Sequence, residues 1–282
     1  MSKTLIYGLM GVFLLSACNG KEQTVNKSFR KAIFLHHSTG ANIYGPNGSS
    51  VSVPAEVEKY NKANNLTGSA AVSMDEKGWP TAEMGWNNEW YRWADIVKGV
   101  DVVEVWGIKK LLPRPDANKE WNKFLKQYPV VIIKSCFPSS QIESISSDAQ
   151  NDRKKTVEGY KMLWRTMISD FAKKPDNFFV LWTNAPLARN ATTLESAKYS
   201  DMFCRWAKDT LAAGLDQTFG AFPENVHVFD FFHLLAGEDG ILRDSFAKSL
   251  KDSHPNSAAT EFAAPVFVKE VFDAAMYYEK NR

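Results

Sequence analysis

Lys31-Ala32-Ile33-Phe34-Leu35-His36-His37-Ser38-Thr39-Gly40 is the stretch from which the rest of this chain can be read. Its first five residues form a short, largely apolar run, which suits a strand buried on both faces of a sheet. The run is followed by a Ser in a Gly-containing turn. Such a strand end projects the Ser38 hydroxyl from the carboxyl edge of the sheet, where its own backbone N–H can help to hold an oxyanion. Alone, Ser-Thr-Gly is an ordinary turn former. His36 and His37 sit beside the Ser. Neighbours in a strand point to opposite faces, so one His is directed into the fold and neither is the expected base for Ser38.

Further along, apolar runs that read as strands alternate with stretches of helical period. Val100–Trp106, Val130–Ile133, Phe178–Trp182 and Val226–Phe232 are the other strand candidates. Ala117–Gln127, Val157–Lys173, Leu194–Ala213 and Ala258–Tyr278 read as helices, with Pro265 near the first turn of the last or marking its true start. Gly45–Pro54 and Asn61–Ser69 are loop-rich. The alternation predicts an α/β fold, one parallel sheet covered on both faces, in a single domain over residues 29–282. Ligands in such folds bind beyond the carboxyl ends of the strands.

Asp252-Ser253-His254-Pro255-Asn256, just before the final helix, supplies what Ser38 lacks. A Ser hydroxyl is a poor nucleophile until a base takes its proton, so a hydrolase needs an imidazole within hydrogen-bond reach. That imidazole must in turn be oriented by a carboxylate or carbonyl. His254 and Asp252 offer both groups in one loop. The plain alternative is a loop leading into a helix, with Asp252 or Asn256 as its cap and His254 exposed.

Taken in order, these blocks resemble the SGNH or GDSL hydrolase superfamily. In that family the nucleophilic Ser follows the first strand and the His lies in a late Asp–His loop. The sub-pattern is similar to exported SGNH proteins that begin with a His-His-Ser-x-Gly block. The similarity continues through Lys134-Ser135-Cys136-Phe137-Pro138, Lys174–Phe179 with Thr183–Leu187, and Phe229-Asp230-Phe231-Phe232. The resemblance implies a three-layer αβα, flavodoxin-like fold with a five-stranded parallel sheet. It also implies ester hydrolysis with Ser38 as nucleophile, His254 as base and Asp252 as its orienting group, with no metal or cofactor.

Two departures from the family pattern stand out. The family spaces its late pair Asp-x-x-His, whereas here it is Asp252-x-His254. Residues two apart do not face one another on a helix, but in an extended loop they can. Asp239 and Asp244 are held in reserve as the orienting carboxylate. The family's oxyanion hole uses a Gly amide after the second strand and an Asn side chain after the third, yet no Gly-x-Asn-Asp string is present. Gly107-Ile108-Lys109-Lys110 puts Lys where Asn would stand. Gly85, with Asn87 close behind, is favoured over Gly78 for the Gly, and Ser135, with Ser139 and Ser140, for the other donor. The expected hole is therefore Ser38, Gly85 and Ser135.

The N-terminus gives a location. Leu5–Leu15 is apolar but shorter than the roughly 20 residues that span a bilayer. Leu15-Ser16-Ala17-Cys18 follows, so residues 1–18 read as a signal peptide whose end resembles a lipobox with Cys18 as the lipidated residue. Residues 19–28 are a polar tether, and Asn19 at the position after Cys18 implies an outer-membrane lipoprotein of the bacterial envelope. Cys136 and Cys204 remain, without the spacing of a metal site, and their pairing is open. A formal net charge of +2 gives no case for nucleic acid.

Nine Trp residues leave two readings, a filled core or a platform for sugar rings. Trp86, Trp90 and Trp93 stand at helical spacing, which favours the core, and Arg189 is a candidate for the cleft. The expected activity is a serine esterase acting on an acylated carbohydrate, in particular an acetyl ester, or on another small ester. The alternatives are a non-catalytic glycan-binding lipoprotein on the same scaffold and a carboxylate-pair glycosidase drawing on Asp75, Glu76 and Asp230.

Overall fold

The computed structural model describes residues 28–81, 90–99, 103–105, 108–110, 115–146 and 154–282, with the backbone alone at 103–105, 108–110 and 115–116. Its strands in chain order are β1 (Lys31–His36), β2 (Ser73–Gly78), β3 (Val103–Val105), β4 (Ile108–Lys110), β5 (Val130–Ile133), β6 (Phe178–Trp182), β7 (Val226–Phe229), β8 (Ala247–Ser249) and β9 (Asp252–Pro255). The helices are α1 (Ser38–Tyr44), α2 (Val53–Ala63), α3 (Trp90–Lys98), α4 (Pro115–Gln127), α5 (Val157–Ala172), α6 (Leu194–Arg205), α7 (Phe231–Leu235) and α8 (Ser257–Asn281). Five strands form one all-parallel sheet in the order β2-β1-β5-β6-β7.

Alternation along the strands divides the core in two. Ile33, Leu35, Val131, Ile133, Phe179 and Leu181 face one side, packed with Trp90 and Trp93 of α3, Trp121 of α4 and the apolar stripe of α5. Ala32, Phe34, Val130, Ile132, Val180 and Trp182 face the other, against α1, α2 and α8. The fold is thus a three-layer αβα arrangement, as the alternating runs predict. Strands buried on both faces need apolar residues at every position, which is why β1, β5 and β6 are legible as continuous runs.

Several boundaries differ from the expectation. The second sheet strand is not within Val100–Trp106, whose described part, β3, pairs antiparallel with β4 outside the main sheet. That place belongs to β2, Ser-Met-Asp-Glu-Lys-Gly, an edge strand with only Met74 buried. An edge strand with an exposed face needs no apolar run.

The run Val226–Phe232 splits at Asp230, which ends β7 and caps α7 by accepting from the His233 amide. The helix expected over Leu194–Ala213 changes to a π-helical turn at Trp206–Leu211. Within the two segments read as loop-rich, α2 begins at Val53 behind its Ser52 cap and runs to Ala63. Pro265 lies well inside α8, which starts at Ser257.

Candidate active site

The two distant segments meet at the carboxyl edge of the sheet. Ser38, the first residue of α1, places its hydroxyl 2.8 Å from His254 Nε2, across 216 positions of chain. On the far side of the ring, Nδ1 lies 2.5 Å from Asp252 Oδ1. A carboxylate only accepts, so Nδ1 carries the hydrogen and Nε2 is left to accept from the Ser38 hydroxyl. The same Asp252 oxygen accepts from the His254 backbone N–H at 3.0 Å. That amide foremost, with the ring hydrogen bond, holds the Asp252 carboxyl below its ordinary pKa, so it stays ionised near neutrality. Phe137 sets its ring edge against the imidazole at 5.1 Å between centroids.

The Asp-x-His spacing is explained by backbone conformation. Asp252–Pro255 is extended in β9, paired with β8, and in a strand residues two apart share a face. Asp252 and His254 therefore point together toward Ser38, while Ser253 turns inward and accepts from the Ala188 amide at 2.9 Å. Asn256 caps α8 through Ala259 and donates to the Ser245 and Ala247 carbonyls, which pins the strand to its neighbour. Both ends are also tied to one another. Asn47, beyond α1, donates to the Pro255 carbonyl at 3.0 Å, and Thr260 of α8 donates to the Asn42 carbonyl at 2.8 Å.

The reserve carboxylates are committed elsewhere. Arg189, considered for the cleft, lies at 3.4 Å from Asp239 and 3.5 Å from Asp244, a surface cluster rather than a cleft group. His37 is not a base for Ser38. Its Nε2 is 2.6 Å from the Pro80 carbonyl, to which it donates, and burial depresses its pKa to about 4. His36 is the buried one of the pair.

Of the three expected oxyanion donors, Ser38 has its amide at the start of α1. Gly85 and Asn87 lie outside the described residues, as do Trp86, Gly107 and the lipobox with Cys18. Gly78 is the last residue of β2. Ser135 follows β5 at the same sheet edge, but is buried with its hydroxyl directed at Asn184 Oδ1, 3.5 Å away. Ser139 and Ser140 are buried in the turn Phe137–Ser140.

Asn184, which the sequence reading did not single out, is a buried junction. It accepts from Trp90 Nε1 at 2.9 Å and donates to Ser200 at 3.2 Å, so it joins α3 and α6 to the end of β6. It stands two positions beyond β6, where no local motif marks a buried amide that joins helices.

Lys134, beside Ser135, is 1% exposed and donates to the Ser135 carbonyl. Burial pulls its pKa down to about 8. The described tryptophans settle as core. All seven among the described residues are buried, including Trp79, Trp90 and Trp93, so none of them offers a face to a sugar ring. Cys136 and Cys204 are separate buried thiols.

The glycosidase carboxylates do not converge. Glu76 is bonded to His36 and Asp75 accepts from Tyr128, both on β2. Asp230 caps α7 beyond β7, at the opposite edge of the sheet. Four strand spacings put those edges about 19 Å apart, beyond the ~5–9.5 Å that glycoside cleavage requires. No protein-family model, curated protein or solved structure matches this chain.

Proposed function

We propose that the protein is a serine hydrolase of the SGNH type that cleaves small carboxylic esters, with Ser38 as nucleophile, His254 as base and Asp252 as the group that orients it. The observation that carries this reading is the unbroken chain from the Ser38 hydroxyl to His254 Nε2 at 2.8 Å and from Nδ1 to Asp252 at 2.5 Å. Ser38 attacks the ester carbonyl carbon while its proton passes to Nε2. The imidazolium so formed is stabilised by the ionised Asp252. Charge gathers on the former carbonyl oxygen, and the Ser38 N–H is placed to donate to it. Collapse expels the alcohol, which takes the proton back from Nε2. Water, activated by the same ring, then releases the acid from the acyl-enzyme.

The acyl-carbohydrate part of the expectation keeps only the export signal as support, because the described Trp residues are buried. An acetyl ester is the natural first substrate to try. Purified wild type should hydrolyse a chromogenic acetate ester, and Ser38→Ala should lose about 10⁴-fold or more of that rate. Equal rates in the two proteins would remove the esterase reading. Sugar binding that survives the substitution, without hydrolysis in either protein, would favour the glycan-binding alternative.

A further inference from the structure

Beneath the nucleophile lies a second carboxylate–imidazole pair that the steps above do not use. His36, the last residue of β1, has Nδ1 2.8 Å from the His37 carbonyl oxygen, and its Nε2 is hydrogen-bonded to Glu76 of β2. A carbonyl oxygen only accepts, so Nδ1 must carry a hydrogen. Glu76 meets the ring on its other side at Nε2, and burial foremost pulls the His36 pKa below its ordinary value, although the His37 carbonyl and Glu76 favour the charged ring.

The His37 carbonyl also accepts from the Ala41 amide, at 2.9 Å. Two donors on one carbonyl oxygen fix the plane of that peptide group and polarise it. The N–H at the other end of the same peptide is that of Ser38.

The surroundings are shaped to hold the ring there. A Cβ at position 40 would lie 2.4 Å from His36 Cβ and 2.6 Å from Cγ, so only Gly40 lets α1 start directly over this side chain. Phe34 and Tyr44 flank the ring at 4.6 Å and 6.4 Å between centroids. The neighbouring His37 does not compete for these partners, since its own ring is occupied with Pro80.

We propose that His36 and Glu76 are positioning residues for the oxyanion amide: Glu76 aims His36, and His36 Nδ1–H orients and polarises the His37–Ser38 peptide so that the Ser38 N–H donates more strongly to the tetrahedral oxyanion. This rests on the reading of Ser38 as a hydrolytic nucleophile. Charge on that oxygen is fully developed only in the transition state, so losing the donor lowers kcat and leaves KM in place.

Two substitutions at one position separate this role from packing. The side-chain amide of Asn falls near the place of Nδ1, and that of Gln near the place of Nε2. In the full-length protein acting on a chromogenic acetate ester, His36→Asn should keep kcat within about threefold of wild type, and His36→Gln should lower it about 10–100-fold at unchanged KM. Equal losses in both variants, or a change confined to KM, would overturn the proposal. Should either variant fold poorly, ¹⁵N imidazole spectra of the wild type decide it. A protonated Nδ1 on His36 is expected, and a bare Nδ1 contradicts the proposal. An inactive Ser38→Ala with a fully active His36→Gln removes the positioning role alone. A wild type without Ser38-dependent turnover removes the hydrolase reading and this role with it.

Discussion

Asp252 and His254 reach Ser38 as one hydrogen-bonded unit because an extended strand, and not a helix, carries them. Asp252→Asn keeps the shape but offers Nδ1 an amide, so it should lower kcat by roughly 10²–10⁴-fold in ester hydrolysis. Undiminished turnover would show that the carboxylate does not orient the ring. The pH dependence has a definite sign. The Asp252 pKa is depressed in the fold, so its charge is present above the ordinary carboxylate range and is lost as pH falls through the folded value. The ratio of wild-type activity to that of the Asp252→Asn variant should therefore be flat from about pH 5 upward and shrink below it, as kcat/KM measured across roughly pH 3–8 will show. At this scale much of the site was legible. Ser38 and His254 were marked by chemistry and chain order, and Asp252 by proximity. Glu76 and His36 were not paired in the reading, since parallel pairing of β1 with β2, which brings them together, leaves no trace in local sequence. Asn184 was missed because a buried amide that joins helices has no local motif.

Among the elements, those buried on both faces were the readable ones, and β2 was lost because an edge strand needs few apolar residues. The end of β7 was blurred for a different reason. Phe231 and Phe232 continue the apolar run, yet Asp230 turns the chain by capping α7, and its side chain then joins a charged cluster. His233 of α7 lies between Asp230, at 2.8 Å, and Asp201 of α6, at 2.9 Å. Lys208 and Arg205 sit on the outer sides of those carboxylates. Burial alone would lower the His233 pKa, but hydrogen bonds and charge from Asp230 and Asp201 outweigh it and leave it raised. Asp230 is shifted the other way. Burial opposes its charge, but the hydrogen bonds and charge of His233 prevail and hold its pKa down. A raised His stabilises the fold fully below its unfolded pKa and less as pH rises through the folded one. A depressed Asp does so above its unfolded pKa. The cluster thus contributes most between about pH 4 and pH 6.5. His233→Gln should lower Tm more at pH 6 than at pH 9, and an equal drop at both would show that the charge on the ring contributes nothing.

On the scale of the whole molecule, the sheet has a polarity that relates the site to the N-terminal segment. β1 enters the sheet at Lys31, and Phe29 just before it donates to Glu279 near the end of α8. Ser38 lies at the other end of β1, about 20 Å away for six extended residues. If Cys18 carries a lipid, Cys18→Ser should move the protein from the membrane fraction to the soluble one while ester turnover stays within about twofold of wild type, since Ser38 and His254 stand at the end of β1 opposite its entry. Retention in the membrane fraction would remove the lipid anchor from this account. The joining of the two chain ends at one sheet edge is the central claim, and an active-site fluorophosphonate tests it most directly. Peptide mass spectrometry should find the adduct on Ser38 in the wild type, none in Ser38→Ala, and markedly slowed labelling in His254→Ala. An adduct on another residue, or labelling of Ser38 at an unchanged rate without His254, would contradict the claim.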